Sequence, residues 1–238
     1  MDICAVIPAR NEAGHLAQIV KNVSSNRYIT EILIIEGGSS DDTYEVAMKL
    51  SALNPLIRVF QQSGTGKFNA VIEAAMKANS QHILIWDADD TVPAQDVSKV
   101  IERYLEVQEP VMGDRLKGKM EPGAMRFLNK IGNYLFGIAW SPLLDFKIAD
   151  LLCGTKIFPI HILQNLPGNY SKLDPYGDFA LIGFSRIQNL KMHSVTVDYR
   201  ARSYGETNIH RWRGGVQLCI FTLIVYRDYM KKKFQNGK

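Results

Sequence analysis

Through its first half the chain alternates short apolar runs with stretches in which apolar residues recur every three or four positions. Ile3–Ile7, Glu31–Ile35, Ile57–Phe60 and His82–Trp86 have the length and composition of strands. Ala13–Ser24 sets Leu16, Ile19, Val20 and Val23 on one side, a helical period. Asp41–Leu53 follows with Asp41 or Asp42 as a cap, then Lys67–Asn79, with Val71, Ala74, Ala75 and Ala78 together, then Ala94–Val107. Strands alternating with helices of this length predict parallel βαβ units: an α/β fold with a mostly parallel, doubly wound sheet and helices on both faces.

After Pro110 the regularity weakens. The pattern predicts helices over Met125–Trp140 and Gly177–Gln188, a strand over Met192–Tyr199 and a long final helix over Ile209–Lys233. The helix ending at Trp140 has a strongly apolar second half. The last helix has an almost wholly apolar centre, Val216–Tyr226, too short for the roughly 20 residues that cross a bilayer. It reads as a buried helix, an interfacial helix or an association surface such as a homodimer contact. No internal repeat or low-complexity linker divides the chain, so one continuous domain is expected.

The chemistry gathers where the early strands end. They run into Pro8-Ala-Arg-Asn-Glu12, Glu36-Gly-Gly-Ser-Ser-Asp-Asp-Thr43, Gln61-Gln-Ser-Gly-Thr-Gly-Lys67 and Asp87-Ala-Asp-Asp-Thr91. In a parallel sheet these four loops share one edge and assemble one site. Their glycines permit close backbone approach, and the helix N-termini that follow favour anions. Gly64-Thr-Gly-Lys67 lacks the spacing of a P-loop. Glu36 suits either the imide of a uracil or guanine base or simple turn chemistry. Asp87 and Asp89, two apart on an extended chain, point to one side. Converging carboxylates need a cation or donor between them, and oxygen-only ligands favour Mg²⁺ or Mn²⁺ with phosphates completing the shell. The same stretch also fits a strand followed by an acidic cap, with Pro93 in the first helical turn.

The composition, 46% hydrophobic and 22% charged in 238 residues, is that of a globular protein with a sizeable core. Three scattered cysteines, Cys4, Cys153 and Cys219, offer neither a disulfide framework nor metal-ligand spacing, which suits a reducing compartment. The opening apolar segment has no basic stretch before it and reads as a first strand, not a signal peptide. The net charge of +4 is uneven: from Tyr199 onward nine Lys/Arg face only Glu206 and Asp228. A basic tail points to phosphate-rich partners or to a solvated helix end. Nucleic acid is not expected, because no aromatic platform interleaves the basic residues.

Val6-Ile-Pro-Ala-Arg-Asn-Glu12, Glu36–Thr43, Gly66-Lys67 and Asp87-Ala-Asp89, taken in order, resemble the signature of family 2 glycosyltransferases with the GT-A fold. Gly113-Asp-Arg115, Arg126, Leu152-Cys-Gly-Thr-Lys156 and Arg202-Ser-Tyr-Gly-Glu-Thr-Asn208 are similar to the dolichyl/polyprenyl-phosphate sugar synthase branch, so the resemblance covers nearly the whole chain. It implies a nucleotide-sugar half over 1–112 and an acceptor half over 113–238. Pro8, Arg10, Glu12 and Glu36 would frame the base and ribose of a UDP- or GDP-sugar, and Lys67 and Asp87 would continue that pocket. Asp89 would ligate Mg²⁺ or Mn²⁺, with Asp87 and Thr91 as further candidates. The branch often has glutamine where this chain has Thr91, and Asp-Asp where it has Glu36-Gly37. Arg115 and Arg126 match arginines that hold the acceptor phosphate, and Arg202 the arginine of a loop closing over the phosphates.

The implied reaction is an inverting transfer to a polyprenyl phosphate by an enzyme placed peripherally at the cytoplasmic membrane face. A hydroxyl acceptor would need a general base, for which Asp178 is the candidate; a phosphate acceptor is already ionised, and Asp178 would then cap its helix. The alternatives are transfer to a soluble or glycan hydroxyl, and a nucleotide-binding scaffold with an inactive site.

Overall fold

Four parallel strands, β1 (Ile3–Ala9), β2 (Ile29–Glu36), β3 (Ile57–Gln61) and β4 (His82–Ile85), form the first half of the sheet. They alternate with α1 (Ala13–Ser24), α2 (Thr43–Leu53), α3 (Lys67–Lys77) and α4 (Ala94–Val107). The computed structural model describes residues 1–144, 150–174, 176–202 and 211–236. β1 lies between β2 and β4 and is buried almost throughout, because helices cover both faces of the sheet. The chain runs from β1 out through β2 to β3 and then crosses back to β4 on the other side of β1, so the strand order reverses beside β1 and opens a crevice beyond its carboxyl end.

The second half adds β5 (Val111–Asp114), α5 (Phe127–Leu144), β6 (Lys156–Pro159), α6 (Ile160–Gln164), α7 (Gly168–Leu173), α8 (Asp178–Ile187), β7 (His193–Thr196) and α9 (Arg211–Asn236). The sheet runs β3-β2-β1-β4-β6-β5-β7. β6 is antiparallel to both β4 and β5, whereas β5 and β7 are parallel. The expected α/β architecture therefore holds, and the segment after Pro110 also contains two four-residue strands that carry no periodic signal. The strand expected over Met192–Tyr199 is confined to β7. The final helix continues to Asn236; residues 209 and 210 of the expected span lie outside the described residues.

One core lies on each face. Leu16, Ile19, Val20 and Val23 of α1 and Val97, Val100 and Ile101 of α4 pack on one side. On the other, α8 is buried along nearly its whole length. Trp140 of α5 lies 4.8 Å from the Phe179 ring of α8 and donates its indole N–H to Thr222 Oγ1 of α9 at 3.0 Å. Gly183 of α8 sits so close to α9 and α5 that a β-carbon there would meet Val225 at 2.7 Å and Trp140 at 3.3 Å. α5 and α9 thus form an outer layer over α8.

Candidate active site

The loops after β1 and β2 are stitched together by their own polar groups. Asn11, in the left-handed region at φ 56°, accepts the Ser40 amide at 2.8 Å, and its own N–H donates to Ser39 Oγ at 3.0 Å. The Glu12 amide donates to Thr43 Oγ1 at 2.9 Å, and Ala13 to Asp41 Oδ2 at 3.3 Å. Glu36 is buried and its carboxylate accepts the Ser39 amide at 2.5 Å, the turn chemistry open to it from the sequence. Pro8 is partly buried at the crevice, and Arg10 is exposed beside Gly37.

Asp87 and Asp89 meet different cations. Asp87 Oδ1 pairs with Lys67 Nζ, which reaches across from the first turn of α3. Asp89 Oδ2 pairs with Arg202 Nη2 at 2.6 Å, and Arg202 also reaches Glu12 Oε1 at 3.4 Å. Thr91 serves Asp89 directly: its hydroxyl donates to Oδ1 at 2.8 Å and its amide at 3.2 Å. Asp90 belongs to the turn, with φ 52° and Arg200 at 3.4 Å. Burial works to raise the Asp89 carboxyl, but Arg202 and the Thr91 hydroxyl outweigh it and hold the group below the usual carboxylate range. Glu12 behaves oppositely. Burial pushes it up to about 7, and the facing charges of Asp89, Asp87 and Asp41 add to the rise against Arg202. Lys67, partly exposed, is held above its ordinary value because the charges of Asp87 and Asp178 outweigh the cost of its desolvation.

The acceptor-side candidates divide. Arg115 is turned inward, its guanidinium donating to Asp150 Oδ2 at 2.6 Å and Oδ1 at 2.9 Å while lying 4.7 Å over the Tyr199 ring. Asn133 and the Leu152 amide complete the shell of the fully buried Asp150. Arg126 is exposed immediately before α5. Asp178 opens α8 but does not cap it. Asp174 does, accepting the amides of Tyr176, Gly177 and Ala180 at 3.1, 3.0 and 2.8 Å. Asp178 instead pairs with Lys156. Sequence reasoning did not single out Lys156 as an individual side chain, nor Asp150 or Asp174. The available signals were a lysine leading the apolar run Ile157-Phe158 and aspartates set among apolar residues. Residues 203–208 of the Arg202 motif lie outside the described residues.

The family model "Glycosyl transferase family 2" matches residues 4–233. The chain belongs to that family. Its fold is GT-A: the chain superposes on glucosyl-3-phosphoglycerate synthase from Mycobacterium tuberculosis, solved with Mn²⁺ and UDP-glucose, at a TM-score of 0.69 and 18% identity, covering 93% of this chain and 77% of that one. Glycosyltransferase AglJ of Haloferax volcanii is 33% identical over 157 residues, 66% of this chain and 50% of that protein, so the match spans half of that relative's length. The dolichyl-phosphate hexose transferase of the same organism is 24% identical over 218 residues, 91% of this chain and 90% of that protein.

For a family 2 glycosyltransferase the question at this edge is a divalent cation. Among the described residues no group of three or more His, Cys, Asp or Glu is gathered as a metal cage. The donor set nevertheless fits a hard cation. Asp89 is held ionised and oriented by Thr91, and Glu12 and Asp87 add carboxylate oxygens nearby, balanced by Arg202 and Lys67. Mg²⁺ and Mn²⁺ suit such a site, with one or two carboxylates from the protein and the remaining positions left to phosphate and water.

Proposed function

We propose that this glycosyltransferase moves a sugar, with inversion, from a UDP- or GDP-sugar to the phosphate of a polyprenyl-phosphate-type acceptor, with Mg²⁺ or Mn²⁺ at Asp89. The observation that carries the reading is the meeting of Asp89, Glu12 and Arg202, from three separate loops, at the switch point of the sheet. Pro8, Arg10, Glu12 and Glu36 frame the nucleoside, and the Lys67–Asp87 pair continues the pocket. Charge develops on the diphosphate as the glycosidic bond breaks, and cations already in place favour that state. Arg202 and Lys67 supply two, and Asp89 would hold a divalent ion whose Lewis acidity would supply a third. The first half of the chain is the donor half and the second the acceptor half.

The acceptor reading draws on two supports. Relatives include a dolichyl-phosphate hexose transferase. Asp178, the candidate base for a hydroxyl acceptor, is already taken up in an ion pair with buried Lys156, which suits an acceptor that arrives ionised and needs no base. In this reading exposed Arg126, ahead of α5, would take the acceptor phosphate, while Arg115 is committed to Asp150. The outer layer suits peripheral attachment to a membrane. α5 exposes Phe127, Leu128, Ile131, Tyr134, Leu135 and Ile138 along one stripe, and α9 exposes Val216, Ile220, Leu223, Met230 and Phe234 along another. α5 carries no acidic residue, and exposed Lys231 and Lys233 lie at the end of α9. Among the described residues no helix is long and apolar enough to cross a membrane.

The test is nucleotide release from UDP-glucose, UDP-N-acetylglucosamine and GDP-mannose, with Mg²⁺ or Mn²⁺ and with a polyprenyl phosphate in detergent. Turnover that EDTA and Asp89→Ala both abolish is expected. Absence of release from every donor removes the reading. Asp178→Asn then separates the acceptors: a loss of ~10²-fold or more moves the assignment to a hydroxyl that needs a base.

A further inference from the structure

Lys156 carries a charge where the fold has no need of one. It opens β6 opposite Ile85 of β4 and Met112 of β5, and it is fully buried. Its ammonium donates to the Cys153 carbonyl oxygen and to Asp178 Oδ1. Burying an ion pair is costly, and apolar side chains of similar volume often serve a core as well or better. A strand flanked by Ile85, Met112 and Ile157 would accept methionine at this position. The charge therefore calls for a role beyond packing.

Asp178 retains slight exposure, and Gly177, the residue before it, packs against the ring of Phe68, the residue after Lys67; the Lys67 ammonium, itself on Asp87, therefore lies within the field of the Asp178 charge. The four side chains form a row of alternating sign: Lys156, Asp178, Lys67, Asp87. The backbone carrying Lys156 is threaded against the far end of that row. A β-carbon on Gly154 would stand 2.5 Å from Lys67 Nζ and 2.7 Å from the Asp87 carboxyl carbon. Without Lys156, Asp178 would lose its ion-pair partner among the described residues and would compete with Asp87 for the Lys67 charge.

We propose that Lys156 is a positioning residue which, through Asp178, sets where the Lys67 ammonium stands against Asp87 and hence where the site presents positive charge to the donor's nucleotide diphosphate. The proposal rests on the nucleotide-sugar reading of the site but not on the identity of the acceptor.

Two variants test it, Lys156→Gln and Lys156→Gln/Asp178→Asn; the second leaves no unpaired charge. The first readout needs no substrate. Lysine ammonium resonances are recorded by ¹H–¹⁵N NMR, with the Lys67 signal assigned by Lys67→Arg. The second is nucleotide release from the three donors named above. In Lys156→Gln the Lys67 resonance is expected to shift, and kcat to fall about tenfold with the donor KM within about twofold, as for a group acting on the developing charge. In the double variant thermal stability is expected to return close to that of the wild type while kcat stays low. A Lys67 resonance that does not move, or a double variant that regains full kcat along with its stability, makes the pair purely structural and overturns the proposal. Should Lys156→Gln fail to fold, the double variant alone decides by the same comparison. A wild-type protein inactive on every donor refutes the functional reading instead, and the NMR result still decides whether Lys156 positions Lys67.

Discussion

Gly154 lies where a β-carbon has no room, and Gly154→Ala turns that geometry into numbers. The added methyl group would sit 2.5 Å from Lys67 Nζ and 2.7 Å from the carboxyl carbon of Asp87, inside the 3.0 Å that real β-carbons keep. Both neighbours are side-chain ends and can yield, so the clash resolves by parting the Lys67–Asp87 pair, not by moving β-strands. Overpacking of this size costs about 1–3 kcal/mol. The pair itself adds little: its side chains are 36% and 26% exposed, and an ion pair so screened is worth about 1 kcal/mol at most. Together these come to about 1–4 kcal/mol, and at roughly 2–4 °C per kcal/mol for a domain of this size Tm should fall by about 2–16 °C. Activity should suffer more than stability. Deleting one preorganised electrostatic group typically costs ~10²–10³-fold in kcat, so displacing one should cost ~10–10²-fold. Thermal melting and nucleotide release, measured on the same preparation, give both quantities. A variant that melts within about 1 °C of the wild type and turns over within about twofold would refute the claim that the Gly154 backbone sets the Lys67–Asp87 pair.

Two further outcomes follow from other parts of the molecule. Burial, reinforced by the nearby charge of Asp178, pushes the Asp174 carboxyl from 3.8 up to about 6, against three amide hydrogen bonds that pull it down. A carboxyl whose folded value lies above its unfolded one favours the folded state while protonated. Its contribution is therefore present at low pH and is lost as pH rises from about 4 to about 6, by on the order of 3 kcal/mol. Asp174→Asn, which also loses part of the α8 cap, should accordingly be less destabilising at pH 8 than at pH 4 in denaturant melts; an equal penalty at both pH values would remove this account. On the outer layer, Leu135→Glu/Leu223→Glu places two charges on exposed stripe positions. It should abolish flotation with phosphatidylglycerol vesicles while leaving Tm within about 2 °C, because exposed positions contribute little to stability. Wild-type protein that never floats with those vesicles contradicts the membrane-facing role.

The first half of the fold was legible because its rules are local. Apolar residues at Leu16, Ile19, Val20 and Val23 mark α1 through consecutive side chains on one helix face, and the buried runs of β1 and β2 are written in single segments. Once the strands are parallel, their following loops must share an edge, so the gathering of Glu12, Glu36, Lys67 and Asp89 at one end of the sheet was also foreseeable. β5 and β6 escaped because they lie outside the regular strand–helix alternation that framed β4, a strand of the same length. Their pairing is settled across the chain, with Lys156 opposite Ile85.

What the sequence determined by itself was the α/β alternation and the set of polar groups delivered to the crevice. Only the tertiary structure decided which of those groups meet. Asp89 finds Arg202 across 113 residues, Arg115 turns from the crevice onto Asp150, and Asp174 takes the cap of α8 and leaves Asp178 to Lys156. Charges attract over several ångströms without any periodic trace in the sequence, and burial decides how strongly. Partner choice among carboxylates and cations is therefore a property of the packed molecule, and here it separates Asp89, held by Arg202 and Thr91, from Asp87 and Asp178, each held by a lysine.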